Sequence, residues 1–495
     1  MSLINHWSKY RLPILDAFIW YAYLMLLIAA SFVNDYYRSQ IWLLLSSCIY
    51  AISGLCVFSA INGGRCNWAG LKLAKRALLV IAAMLLLLLL QMTLPTGQHA
   101  ELTLLSGASS SAITPQRFTS EGFAPEWFAP SELLSIVPEK TRWLFNSELL
   151  VFSSFALSIA LVSSRRRLKQ LLTVILIVGV FHSLVGIIAK YGGLTLVDIM
   201  QLDGHFTAAR GWFINRNHFA AFISLCLVSA LAMQVKSLMS AKRERPIAMI
   251  LAQFLSYRIA YIFALTVGII AIVLSQSRAG FLAFFLSLLL VLIAFGKGGS
   301  AKSLGFRRRD LILPAAVIVL AVILYFGGDL LRRFSSDALF GERLSQWSLT
   351  WQAIEQAWLF GYGGNSYADV FQVFRGYQDF RQVVFNQAHN DYFHIWLEQG
   401  LVGLVLWLGL IAIALRAAFR GFSTSASRLS QAVLISVAVV LIAALAQSAV
   451  DFNLQILNIR VYFFVIMSLV FSVPAIRHKE KARHKEKAPG KSAPI

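Results

Sequence analysis

Charged residues are scarce in this sequence: they make up 14% of 495 residues, against 58% hydrophobic. A soluble chain of this length would carry many more, so a soluble globular class is excluded. Cysteine is scarce as well. Cys48, Cys56, Cys66 and Cys226 show no CxxC and no zinc-type spacing, which argues against dithiol redox chemistry and a structural zinc site. Also lacking is any polar stretch long enough for a typical separate domain, since the longest loops run only about 50 to 65 residues. No small-residue cleavage site follows the first apolar block, which is too long for a signal peptide. The N-terminus is therefore expected to stay and anchor the chain.

What is abundant is apolar sequence in unbroken blocks. Ala82 to Leu90 ends in a run of leucines, and Leu282 to Phe295 is nearly as dry. A membrane span needs roughly 20 mostly apolar residues. Twelve stretches qualify, near 14–32, 41–61, 77–95, 147–163, 170–189, 217–235, 259–275, 280–296, 311–327, 395–415, 430–450 and 458–476. The expectation is an all-α polytopic membrane protein with about 12 transmembrane helices and a large outer loop before span 10.

The formal net charge of +21 invites a nucleic-acid reading, but the placement of the charges argues against it. With the N-terminus inside and strict alternation, 30 of the 44 Lys and Arg fall in the inner segments and the tail. Every inner segment is then basic, as the positive-inside rule requires. Both termini are expected to be cytoplasmic, and the basic tail 477–495 reads as an orientation signal near anionic lipid. No cysteine falls in an outer loop, so no disulfide framework is expected.

The outer segments hold five polar clusters. The first runs from Arg210 to His218 and includes Arg216 and Asn217; the second is Ser275 to Gly280. Arg278, between two very apolar helices, is costly unless it faces a wet cavity or a partner. The third is Gly341-Glu342-Arg343, followed by Leu344, Trp347, Trp351, Ile354 and Trp358 at helical spacing. That helix is expected to lie in the membrane interface or to pack on the bundle. In the fourth, Asn386 to Asp391, either Asn390 or Asp391 is a good N-cap. His389 would then sit at a helix N-terminus, where the dipole disfavours a protonated imidazole and leaves a base able to accept a proton. The fifth is Asp451-Phe452-Asn453.

Arginines, one candidate base and polar amides at one membrane surface suit a phosphate-bearing ligand, because Arg is always charged and binds phosphate through a planar fork. Outside the cytoplasm a reaction must draw on an activated substrate already in the membrane, such as a polyprenyl-diphosphate-linked sugar. Arginines would neutralise charge on the leaving diphosphate, and a neutral His would deprotonate an acceptor hydroxyl. Arginine charge would serve without a metal, and no cofactor is expected.

His389-Asn390, nine residues, then Gly400-Leu401-Val402-Gly403 resembles the HNx9GxxG signature of the O-antigen ligase and O-antigen polymerase superfamily. Ser277-Arg278-Ala279-Gly280, Arg343 with Trp347, Gly361-Tyr362-Gly363 and Asp451-Phe452 are similar to it too. The resemblance is strongest from about 205 to 455. It implies that His389 is the catalytic base and that Arg278 and Arg343 bind the diphosphate, with Arg210 a weaker carry-over. Asn217 belongs to the same loop motif, where Arg216 departs from the family's pattern. Asn390, Glu398 and Asp451 read as supporting residues. Glu398 is expected to orient the site, to pair with an arginine or to pack against a buried partner, and Asp451 to pair with an arginine. Gly400 and Gly403 read as helix-packing positions, and His182, His218 and His394 as packing or interface residues.

The resulting division is 1–204 for the N-terminal spans with outer loop 96–146, 205–476 for the ligase/polymerase-like region with outer loop 328–394, and then the tail. The resemblance implies an inverting glycosyltransferase in a bacterial inner membrane, with its active face periplasmic. Its donor would be a polyprenyl-diphosphate-linked oligosaccharide, and its acceptor a glycan or lipid A core. Membrane lipids, a chain-length regulator and a flippase are expected partners, and nucleic acid is not. The run Asn215 to Ala220 leans toward polymerase over ligase. A protein O-oligosaccharyltransferase shares the machinery. The rivals from other classes are a polysaccharide or lipid transporter and a non-catalytic scaffold.

Overall fold

The computed structural model describes residues 2–33, 40–95, 133–192, 208–239, 258–297, 338–375, 386–425 and 427–487. These residues are helical, apart from short turns and a single bridge between Pro95 and Leu133. The helices are α1 (Ser2–Phe32), α2 (Gln40–Ile61), α3 (Trp68–Leu73), α4 (Lys75–Thr93), α5 (Pro138–Leu161), α6 (Arg165–Gly192), α7 (Arg216–Cys226) and α8 (Val228–Met239). They continue with α9 (Arg258–Leu274), α10 (Arg278–Lys297), α11 (Ala338–Gln356), α12 (Tyr367–Arg375), α13 (Asp391–Thr424), α14 (Arg428–Ser448) and α15 (Leu457–Lys487).

Among the described residues, nine helical stretches are long and apolar enough to cross a membrane, and Ile259–Leu274 and Arg278–Leu290 are shorter apolar helices. The all-helical, polytopic expectation holds. The ninth expected span, 311–327, lies outside the described residues, so the count of twelve is not established. The fourth span begins earlier than the hydropathy pattern indicated. Pro138, at the first helical position, starts α5, and the polar first turns are helical although they read as loop. The segment 328–394, expected as an outer loop, also contains two helices, α11 and α12.

Apolar contact alone gives no driving force between helices in lipid, so shape and buried polar links must select the packing. The α15 span is buried along nearly its whole length and is apolar on all sides, as a central helix must be. Phe464 meets Phe152 edge-on at 5.3 Å, and Phe463 stacks on Trp407 at 6.2 Å. Arg460 is buried near the start of α15 and pairs with Glu148 of α5 at 2.5 Å. α1 and α6 lie side by side in parallel register. Arg167 donates to the Asp16 carbonyl at 3.0 Å, and the His182 ring meets the Ser31 hydroxyl at 3.2 Å, both pairs 151 positions apart.

The feature that shapes the site is a break inside α13. Gly400 has φ +67°, a region that suits glycine. A Cβ there would strike the Leu359 carbonyl. Across the break, Tyr362 and Gly363 donate backbone N–H groups to the Leu397 and Glu398 carbonyls at 3.0 and 2.9 Å. Leu401 and Val402 donate to Trp358 and Leu359 at 2.8 and 3.2 Å. Gln91 of α4 adds side-chain bonds to the Phe360 and Glu398 carbonyls at 2.7 and 2.9 Å. The backbone groups freed by the break are thus satisfied by protein, as membrane depth demands. Gly400 is therefore a chain-bending position, whereas Gly403 does face a neighbouring helix at Leu87.

Candidate active site

The turn between α14 and α15 is where the polar clusters meet. Asp391, the first residue of α13, accepts the Leu454 N–H and the Gln455 side-chain amide, each at 3.1 Å. That fastens the turn to the start of α13. Asn390 is the N-cap: its side chain accepts from the Tyr392 and Phe393 N–H groups at 3.0 and 3.2 Å. His389 precedes the cap with φ +48°, a left-handed conformation that non-glycine residues seldom adopt. Such strain persists only where the surroundings impose it.

His389 Nδ1 lies 3.6 Å from Asp451 Oδ1, and the two side chains are 30% and 1% exposed. One side of the imidazole therefore faces a buried carboxylate while part of the ring stays open. Phe452 meets the ring edge-on at 4.9 Å, and meets the His218 ring likewise at 4.7 Å. Burial alone would raise the Asp451 carboxyl. His389 beside it, the charge influence of His218 and the Phe452 N–H outweigh that and hold it below the ordinary value. Asp451 thus stays ionised and pairs with His389, where an arginine was expected.

α11 presents the His389 loop. Gln346 donates to the Gln387 carbonyl at 2.7 Å, and the Trp347 indole donates to the Ala388 carbonyl at 2.9 Å. One turn earlier, Arg343 donates to the Val450 carbonyl at 3.3 Å, next to Asp451. The helix packs on α13 through a buried stripe that includes Gln346, Thr350, Ala353 and Ile354. Its tryptophans flank that stripe, with Trp351 against Trp396 at 5.4 Å. Of the two placements open for this helix, packing on the bundle is what the structure describes.

Behind the loop lies a buried relay of hydrogen bonds. The Tyr367 hydroxyl bonds Gln346 and Thr350 at 3.1 and 3.0 Å, and the Tyr367 N–H donates to Glu398 at 3.1 Å. Burial pushes the Tyr367 hydroxyl up to about 12, so it stays a neutral donor. Glu398 pairs with His394 at 3.0 Å, and His394 stacks on Tyr367. Glu398 therefore supports the site from behind through His394.

Arg278 opens α10, where the Ser277 hydroxyl accepts the Gly280 N–H at 3.3 Å. A Cβ on Gly280 would meet Ala220 at 2.8 Å and Gln447 at 3.3 Å. Gln447, at the end of α14, donates to the Asn217 carbonyl at 3.1 Å. Asn217 thus contributes its backbone to this contact, while Asn215 caps α7. These links place the start of α10, the start of α7 and the 449–456 turn at the same end of the bundle. Arg210 turns back on its own loop, donating to the Ile214 carbonyl at 2.8 Å. Burial and the charge of Arg216 push its guanidinium down to about 10.

Sequence reasoning missed Tyr367, Gln346 and Gln447, and read His218, which meets Phe452 beside His389, as a packing or interface residue. Gln447 carried a signal, a lone amide in an apolar run, and such residues have a cost that asks for a partner. Tyr367 carried none, because its role arises from long-range contacts.

Chemically, a partly exposed histidine beside a buried carboxylate is suited to accept a proton, because the carboxylate stabilises the imidazolium that forms. Among the described residues, His389 Nδ1, Asp451 Oδ2, His218 Nε2 and both amide atoms of Asn453 are buried without a protein hydrogen-bond partner. No curated protein matches the chain. Over residues 262–408, which include Arg278, Arg343, His389, Asn390 and Glu398, the chain matches a family model described as O-antigen ligase, and this polytopic membrane protein is thereby similar to a family of membrane glycan ligases and polymerases.

Proposed function

We propose that the protein is an inverting glycosyltransferase that extends or transfers a glycan from a polyprenyl-diphosphate donor at the periplasmic face of a bacterial inner membrane. The observation that carries this reading is His389, held against Asp451 within a chain whose 262–408 stretch matches the O-antigen ligase model. In this reading Nδ1, the nitrogen 3.6 Å from Asp451, carries the proton of the neutral ring, and Nε2 is the atom that takes one up. The acceptor hydroxyl attacks the donor's anomeric carbon and passes its proton to Nε2. The bond from that carbon to the diphosphate oxygen breaks, and the diphosphate leaves with the electron pair. Arg278 and Arg343 neutralise the charge that grows on it, with Arg210 a weaker contributor. Asp451 stabilises the imidazolium and need not itself change protonation. Asn390 fixes the backbone beneath the base, Glu398 supports its loop, and Asn217 contributes through its contact with Gln447.

Polymerase is the favoured role and ligase the next. The test is deletion of the gene and complementation with wild type or His389→Ala, each checked for membrane insertion, followed by electrophoresis of the surface glycans. Single repeats attached to lipid A core without long chains identify a polymerase. Bare core with accumulating lipid-linked polymer identifies a ligase, and loss of glycan from proteins identifies an O-oligosaccharyltransferase. Full rescue by His389→Ala removes the proposed base and the reading with it.

A further inference from the structure

The run Arg165-Arg166-Arg167-Lys169 serves two purposes. Arg167 is buried: it donates to the Leu161 and Asp16 carbonyls at 3.1 and 3.0 Å and lies 5.3 Å from the Trp20 ring centroid. Arg165, Arg166 and Lys169 are exposed instead, at the rim of a cavity of about 710 Å³ between α1 and α6. Its walls are apolar, with Leu24, Met25 and Ile28 from α1 facing Val174 from α6. Its lining contains no carboxylate. The Trp20–Gln170 bond at 2.9 Å and the Tyr21–Gln170 bond at 3.3 Å hold the two helices together beside it.

We propose that this groove binds an anionic phospholipid, with the headgroup phosphate at the Arg165–Arg166–Lys169 rim and one acyl chain along the α1–α6 wall. The cations sit on the first turns of α6, and the apolar wall is supplied by Leu24, Met25 and Ile28 of α1 with Val174 of α6. From Arg165 to Val174 the helix rises about 13 Å, close to the half-thickness of a bilayer core. One acyl chain of one leaflet has that reach. Three clustered cations select an acidic headgroup over a zwitterionic one. The site lies outside the 262–408 stretch and does not depend on the proposed chemistry.

The full chain, purified in detergent, is titrated with phosphatidylglycerol or phosphatidylcholine of the same acyl composition and followed by native mass spectrometry. Phosphatidylglycerol should form a single dominant adduct at concentrations where phosphatidylcholine does not. Replacing Arg165, Arg166 and Lys169 together by Gln should weaken that adduct by on the order of a hundredfold. Thr173→Trp, which fills the groove from an exposed position, should weaken it while leaving the cations in place. Equal binding of the two lipids to wild type overturns the proposal. So does an undiminished phosphatidylglycerol adduct in either variant, and the wild-type comparison decides alone if a variant fails to fold.

Discussion

His389 Nδ1 and Asp451 Oδ1 lie 3.6 Å apart although 62 positions separate them in the chain. Asp391 makes the meeting possible by gripping Leu454 and Gln455 from the first turn of α13. If this pair is the proton acceptor, His389→Ala should lower glycan transfer by roughly a hundredfold or more. Asp451→Asn should cost about tenfold to a hundredfold, because the ring keeps its nitrogen but loses its orienting partner. Transfer by membranes containing equal amounts of each variant measures both, and wild-type rates in Asp451→Asn would sink the pairing.

Asp451 also makes a prediction in pH. Its carboxyl is held below the ordinary value of 3.8, so its ionised form contributes stability in full above that value. The contribution is lost as pH falls through the depressed value. The melting temperature of Asp451→Asn should therefore trail wild type by a constant margin from neutral to mildly acid pH. The two should converge only in stronger acid.

Lys140 and Asp369 tie α5 to α12 at 2.7 Å, with Lys140 40% exposed and Asp369 buried. Burial raises the Asp369 carboxyl, and Lys140 offsets part of that rise. Lys140→Met should leave a buried carboxylate without its cation. The cost is about 1–2 kcal/mol near neutral pH, below the figure for a fully buried pair because Lys140 is partly in solvent. It should fade as pH falls through the raised Asp369 value and the carboxyl takes up a proton. Thermal unfolding at two pH values separates this from a uniform packing loss.

Gly400→Ala should destabilise the chain by about 3 kcal/mol or more, combining a disfavoured backbone conformation with a clash against Leu359. Gly361→Ala should act likewise, since its Cβ would meet the Glu398 carbonyl carbon at 2.5 Å. Gly409→Ala is the control: it lies in the same helix with nothing within 4 Å. Yield of monodisperse protein and melting temperature read the difference.

Arg343→Lys should retain the charge beside Val450 but lose the planar fork, lowering transfer less than Arg343→Ala does. Equal activity of both variants with wild type, at matched expression, would remove Arg343 from the diphosphate site.

The membrane class and most of the helices were legible because a span is a composition signal, readable without knowing its neighbours. The start of α5 was not, since Glu139, Lys140 and Arg142 read as loop while Thr141 and Leu144 turn inward. His389, Asn390 and Arg343 could be singled out because polar residues at the edges of apolar blocks are few. The partner of Asp451 was misjudged because sequence gives charge but not facing. The role of Gly400 was equally hidden: a glycine that packs and a glycine that bends the chain look alike until its φ is known.

The bonds from Gln91 to the Phe360 and Glu398 carbonyls join α4 to two segments far along the chain. They set a rule for building hybrids with related proteins. A splice that takes 338–456 from one parent and α4 from another keeps every motif residue, yet mismatches the amide that braces the bent helix. Hybrids that exchange α4 together with 358–403 should retain the bend, so the natural unit of exchange here is discontinuous in sequence.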